Sequence, residues 1–116
     1  MKKRIASFQF AINGIKLLFK SGINFNIQFV ITLITLFAGW YYEITKTEWV
    51  VILLCIGCVL VAEAFNTAIE KMVDHLAPEK NIYAGEIKDI AAGAVLLFSI
   101  ITAFIGIIIF LPYLTN

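Results

Sequence analysis

The stretch WVVILLCIGCVLVA, residues 49–62, carries no charge and runs directly into EAFNTAIEKMVD, residues 63–74. An α-helix rises about 1.5 Å per residue, so ~20 apolar residues cross the roughly 30 Å hydrocarbon core of a bilayer. We therefore expect a membrane-spanning helix over about residues 49–72. The second half of this helix carries carboxylates and an amide, which are the first candidates for functional residues.

The composition of the whole chain agrees with a membrane protein. The 116 residues are 61% hydrophobic and 15% charged, and the mean hydropathy is +0.93, well outside the range of soluble domains. The length suits a single domain, and no repeat or linker divides it. The net charge of +1 predicts no nucleic-acid-binding surface. Cys55 and Cys58 lie in the apolar run without further metal ligands, so we expect them to pack there.

Two further apolar runs, at about residues 26–42 and 90–114, are long enough to cross a bilayer. Lipid offers no hydrogen-bond partners, so only helices or closed barrels span it, and no pattern of short alternating strands is present. The predicted fold is therefore an all-α membrane protein with three transmembrane helices.

The N-terminal segment, about residues 4–20, shows a different pattern. Apolar side chains recur there at helical spacing, opposite a face that includes Lys16 and Lys20. This predicts an amphipathic helix on the membrane surface. The alternative, an extension of the first span, would carry both lysines into lipid. The apolar positions are Ile5, Phe8, Ile12, Ile15 and Phe19.

The distribution of basic residues predicts the orientation in the cytoplasmic (inner) membrane. Eight of the nine lysines and arginines lie before the first span or at the connection between the second and third, and only Lys46 lies on the other side. We therefore expect the N-terminus and the 73–89 loop to be cytoplasmic, and the 43–48 turn and the C-terminus to be outside. Trp40, Trp49 and Tyr113 fit an outer interfacial belt of aromatic residues.

Glu63, Asn66, Glu70 and Asp74 fall within an arc of about 80° on a helix and form one polar stripe. Glu63 lies about 21 Å from the outer interface, still inside the apolar layer. A lone carboxylate there costs several kcal/mol, so it is held neutral or faces a polar cavity, and either condition suits a general base. Glu70 and Asp74 are placed to meet water or a metal ion.

The third span opens with GEIKDIAAGAV, residues 85–95, which places Lys88 and Asp89 at the same interface as the stripe. A lysine near phosphates and a carboxylate near a metal are recurring parts of phosphoryl transfer. The alternative is that Glu70, Lys71, Asp74 and Lys88 are only solvated interfacial charges.

Two classes of function fit these residues. One is an enzyme that acts on a lipid head group with a soluble co-substrate. The other is a small oligomeric carrier of protons or ions that uses Glu63. A carrier needs polar residues along its path, and the outer half of the second span has none, so the enzyme is favoured.

EAFNTAIEKMVD and AGEIKDIAAGAV together resemble the small membrane-integrated prokaryotic diacylglycerol kinase family, which includes undecaprenol kinases. The first matches the pattern E-x-x-N-[ST]-A-I-E-x-x-V-D at every fixed position. The resemblance implies a homotrimer with sites between protomers. It also implies transfer of phosphate from magnesium ATP to diacylglycerol, which gives phosphatidic acid for phospholipid metabolism. Undecaprenol is the alternative acceptor.

The resemblance also implies a role for individual residues. Glu63 would be the catalytic base and contact the lipid together with Ala92, Asn66 would position the lipid hydroxyl, and Glu70 would bind Mg²⁺. The nucleotide site would consist of Glu70, Glu79, Lys80, Asn81, Lys88 and Asp89.

Gly22 departs from the family pattern. Family members usually have a glutamate in a segment K-x-E-x-N-F, where this chain reads KSGINF. That glutamate would be a second protein ligand to the metal. Its absence leaves open a family member with reduced or lost activity.

Overall fold

A computed structural model describes residues 1–116 and contains four α-helices and no β-strand. They are α1 (Lys2–Ser21), α2 (Ile23–Tyr41), α3 (Lys46–Leu76) and α4 (Ile82–Thr115). Helices α2, α3 and α4 are each long and apolar enough to cross a membrane. The predicted all-α membrane fold, with an N-terminal helix before three spans, is confirmed.

The chain leaves the helical conformation at Gly22, between α1 and α2, where φ is −120° and ψ is 105°. Asn26 stabilises this corner because its Nδ2 donates to the carbonyl oxygens of Phe19, at 2.8 Å, and Gly22, at 2.9 Å. The Phe19 ring packs edge-on against Phe25 and Phe29. Helix α1 is therefore a separate helix, and a continuous extension of the first span is ruled out.

The connection between α3 and α4 is shorter than the loop predicted over residues 73–89. Helix α3 continues to Leu76 and α4 begins at Ile82, so only residues 77–81 are non-helical. Hydropathy marks where a helix leaves lipid, whereas the helix itself continues into water while its backbone hydrogen bonds persist. Asn81 is the N-cap residue that precedes α4, and its Oδ1 accepts a hydrogen bond from the Ala84 amide at 2.7 Å.

At the opposite end of the helices, the turn between α2 and α3 is held by side chains. Thr45 and Glu48 form a capping box at the start of α3. Tyr113, near the end of α4, donates a hydrogen bond to the Glu48 carboxylate. This hydrogen bond lowers the pKa of Glu48, which precedes the apolar run, and the Thr45 amide lowers it further. Helices α3 and α4 are thus joined at this end.

The packed core of a single chain is small. Only 12 of the 116 residues are buried, and three of them, Ile44, Ile52 and Ile109, cluster near the α2–α3 turn. Most large apolar side chains on the spanning helices are exposed. Such outward-facing apolar surface is what helices in lipid require. Within the apolar run of α3, Cys55 is buried and Cys58 is exposed, and both are free thiols.

Candidate active site

The polar stripe of α3 passes from buried to exposed along the helix. Glu63 is 3% exposed and Asn66 is 5% exposed, and both lie among the buried residues of the chain. Glu70 is half-buried, and the Asp74 side chain is 64% exposed. The helix therefore presents a carboxylate in a buried setting at one end of the stripe and a solvent-accessible carboxylate at the other.

Asn66 links the two parts of the stripe. Its Nδ2 donates to Glu70 Oε1 at 3.1 Å, while its Oδ1 is buried and has no hydrogen-bond partner. A buried amide oxygen without a hydrogen-bond partner costs free energy unless a ligand or a water molecule donates a hydrogen bond to it. Asn66 therefore has one free acceptor beside the buried carboxyl group of Glu63.

Glu63 and Asn66 line an open cavity of about 290 Å³. Helix α4 contributes Ala92 to the same cavity. Its lining residues come from α2, α3 and α4. The cavity contains no lysine or arginine to neutralise Glu63.

Three polar residues in this cavity were missed by the sequence analysis: Asn24 and Gln28 on α2, and Ser99 on α4. Gln28 Nε2 donates to Ser99 Oγ at 3.4 Å, across the space between the two helices. The i, i+4 spacing of Asn24 and Gln28 at the start of an apolar run was a detectable signal, because two amides on one helix face rarely point into lipid.

The ion pair between Lys88 and Asp74 joins α4 to α3 at the polar end of the stripe. Lys88 Nζ lies 2.8 Å from Asp74 Oδ1. Lys88 precedes the apolar run that starts at Ile90, and the hydrogen bond that its ammonium group donates to Asp74 raises the pKa of that group. The predicted proximity of Lys88 to the stripe is therefore observed, and the lysine is held in its charged form.

A wider cleft of about 580 Å³ opens beside this ion pair, at the α3–α4 connection. Glu79, Lys80 and Asn81 line it together with Asp74 and Lys88. Asn81 also caps α4, so its Oδ1 is already occupied by a backbone amide. The structure thus brings most of the predicted nucleotide residues to one cleft.

Three of the residues discussed for the site lie outside both cavities. Glu70 and Gly22 are half-buried and Asp89 is exposed, and none of them lines the Glu63 cavity or the cleft. No group of three or more acidic, histidine or cysteine side chains is arranged to hold a metal ion. A metal at Glu70 would need further ligands from water, a bound substrate or a neighbouring protomer.

Chemically, the chain combines a buried carboxyl group, an amide with a free acceptor and a half-buried carboxylate on one helix face, with a lysine-bearing cleft beyond them. These features lie where an apolar helix leaves its apolar run. They define a class of protein, a helical membrane protein with a carboxylate-lined cavity between its spanning helices and a lysine-bearing cleft at the α3–α4 connection.

Comparison with known proteins identifies the family within this class. The family model described as prokaryotic diacylglycerol kinase matches residues 9–110. The chain is also 38% identical over 108 residues to the undecaprenol kinase of Bacillus subtilis (strain 168), an alignment that covers 93% of this chain and 88% of that protein. The chain belongs to the prokaryotic diacylglycerol kinase family and is a membrane-embedded lipid kinase.

Proposed function

We propose that this chain transfers the γ-phosphate of magnesium ATP to the primary hydroxyl of undecaprenol. The observation that carries the proposal is the position of Glu63. Its side chain is 3% exposed and lines a cavity together with Asn66 and Ala92. Glu63 also lies two helical turns from Glu70 on the same face of α3. This arrangement supplies a proton acceptor at the lipid end and a metal-binding carboxylate at the nucleotide end.

In this proposal Glu63 accepts the proton of the lipid hydroxyl while the hydroxyl oxygen attacks the γ-phosphorus. The new bond joins that oxygen to phosphorus, and the bond between the γ-phosphorus and the bridging oxygen of ATP breaks to release ADP. The hydroxyl has one proton, which Glu63 accepts, so Asn66 positions the hydroxyl by donating the second N–H of its Nδ2 to the hydroxyl oxygen, while the other N–H is donated to Glu70. Lys88 contacts the phosphates as a compact positive charge.

The donor atoms present fit a magnesium–nucleotide complex. Mg²⁺ is usually bound through one or two protein carboxylates together with waters and substrate phosphates, so Glu70 with ATP forms a sufficient set despite Gly22. The ion, when bound, neutralises charge on the phosphate oxygens during transfer. Glu70 is oriented toward this task by its hydrogen bond from Asn66.

The choice of undecaprenol rests on the relative named for that activity, which matches nearly the whole chain. Diacylglycerol, with phosphatidic acid as its product in phospholipid metabolism, is the second candidate and is favoured by the family description. Both lipids present a primary hydroxyl, which is the group that Glu63 and Asn66 would recognise.

The same proposal includes the setting of the reaction. The enzyme lies in the inner membrane as a homotrimer, with the N-terminus and the α3–α4 connection in the cytoplasm and the C-terminus outside. The placement of basic residues at the N-terminus and beside this connection supports that orientation. The nucleotide cleft would then face cytoplasmic ATP.

A side-by-side kinase assay tests the proposal. Purified protein in proteoliposomes receives labelled magnesium ATP with undecaprenol, with diacylglycerol or with no added lipid alcohol. We expect labelled lipid with undecaprenol at a higher kcat/KM than with diacylglycerol, and none in the control. A preference for diacylglycerol would overturn the acceptor assignment. Absence of transfer to both lipids would contradict kinase activity and point to loss of function through Gly22, whereas proton flux without ATP would support the carrier.

A further inference from the structure

A second cavity lies between α2, α3 and α4, on the side of Glu63 toward the α2–α3 turn. Its volume is about 320 Å³. We call it the inner chamber, and its polar lining consists of Gln28, Thr32, Thr35, Ser99 and Thr102. Helix α3 lines it only with apolar side chains and Cys55. Four residues with hydroxyl groups and one with an amide thus line a space within the apolar part of the fold.

The hydrogen bonds of these side chains are only partly completed within the chain. Thr32 and Thr35 donate to backbone oxygens of their own helix, at 2.9 Å and 2.8 Å, which leaves their lone pairs free. Ser99 Oγ accepts the long hydrogen bond from Gln28. Thr102 Oγ1 is buried and has no partner at all. A hydroxyl in this state is costly, because it has lost water without gaining another partner.

We propose that the inner chamber is a binding site for a cluster of water molecules inside the membrane-spanning fold. A buried water needs two to four polar partners and about 30 Å³ of volume, and the chamber offers more than both. An apolar occupant, such as a lipid chain or the helix of another copy, would leave Thr102 unpaired. Water completes its hydrogen bonds, as well as the free lone pairs of Thr32 and Thr35.

The chamber adjoins the Glu63 cavity, because Gln28 and Ser99 line both spaces. The Glu63 cavity contains no basic side chain, so an ionised Glu63 has no counter-ion there. Water that passes the weak contact between Gln28 and Ser99 would solvate this carboxylate and reduce the cost of burying its charge. This inference depends on the positions of the helices and stands apart from the proposed kinase activity.

Water-edited solid-state NMR on the full chain in lipid bilayers tests the proposal. Magnetisation is transferred from water to the protein, and the build-up is read at the Thr102 methyl group and the Glu63 carboxyl carbon. We expect rapid transfer to both, comparable to that of solvent-exposed Asp74. Build-up as slow as that of lipid-facing Leu97, or transfer from lipid chains to Thr102, would overturn the proposal.

Two variants provide an independent test, because a hydrated chamber and a dry chamber predict opposite changes in the thermal midpoint of Thr102→Val. In a hydrated chamber, Thr102→Val removes a water ligand, so it lowers the thermal midpoint and weakens the water signal at Glu63. In a dry chamber, the same change removes an unpaired hydroxyl and raises the thermal midpoint. Thr115→Val is the control, because the Thr115 hydroxyl donates to the Leu111 carbonyl and Thr115 lies outside the chamber. A rise in midpoint for Thr102→Val relative to this control would refute the bound water.

Discussion

Asn66 Nδ2 lies 3.1 Å from Glu70 Oε1, and this hydrogen bond joins the buried half of the α3 stripe to its solvent-accessible half. The amide that would position the acceptor hydroxyl also orients the carboxylate that would bind the metal. The Asn66 side chain would therefore fix the position of a lipid hydroxyl relative to a nucleotide bound beside Glu70.

Glu63→Gln is expected to lower kcat by at least about 100-fold, because it removes the proton acceptor while keeping the shape of the side chain. The measurement is transfer of labelled phosphate to the lipid, with thermal unfolding and oligomeric state as checks on folding. Glu43→Gln is the control and should retain activity, because Glu43 is an exposed glutamate in the α2–α3 turn, at the opposite end of α3 from Glu70. Equal turnover by Glu63→Gln and the wild type would remove Glu63 from the mechanism.

Glu70→Gln is expected to raise the magnesium concentration needed for half-maximal rate by about 10-fold or more, since the charged ligand is lost. Glutamine keeps an acceptor for the Asn66 amide, so the position of Asn66 is preserved. Magnesium titrations at saturating lipid measure the effect. If the requirement stays unchanged, the metal is bound elsewhere.

Gly22→Glu is expected to lower the magnesium requirement several-fold by restoring a second carboxylate ligand. The backbone at Gly22 accepts any residue, and an added Cβ would lie 3.2 Å from the Leu18 carbonyl oxygen and 3.3 Å from Phe25 Cβ, so a small adjustment suffices. Gly22→Gln is the matched control without charge. Identical magnesium titrations for the two variants would show that the second ligand is not provided from this position.

Lys88→Met is expected to raise the KM for ATP by roughly 10- to 100-fold, because a charged hydrogen bond to phosphate is lost. Asp74→Asn separates this role from the ion pair between the two residues, since it frees Lys88 without removing its charge. We expect a much smaller change in KM for Asp74→Asn. Equal increases in both variants would indicate that the ion pair acts only by holding α3 and α4 together.

Tyr113→Phe is expected to lower the thermal midpoint at about pH 7 by removing the hydrogen bond to Glu48. Because the pKa of Glu48 is lowered in the folded state, its stabilising contribution is present above the ordinary carboxyl range and is lost as the pH falls through the lowered value. The difference in thermal midpoint between variant and wild type should therefore shrink as the pH falls below the ordinary carboxyl range. A difference that is independent of pH would mean that the ring packing of Tyr113 is responsible.

Helical spacing was enough to predict that Glu63, Asn66, Glu70 and Asp74 share one face, because that periodicity is a local property of the α-helix. The three apolar runs likewise predicted α2, α3 and α4, although the polar helix ends extended beyond them. The contributions of Asn24, Gln28 and Ser99 to the Glu63 cavity were not predicted, because they depend on how α2 and α4 are rotated against α3. Hydropathy is the same for every such rotation.

The sequence by itself determined that the chain is a helical membrane protein and where along α3 the carboxylates leave the apolar run. Both follow from local properties, namely the cost of exposing backbone groups to lipid and the periodicity of the helix. Only the tertiary structure decided that Glu63 and Asn66 line a cavity with residues of α2 and α4, that Lys88 reaches Asp74, and that hydroxyl-bearing residues of α2 and α4 line a shared chamber. These relations depend on packing between distant segments, which no local pattern encodes.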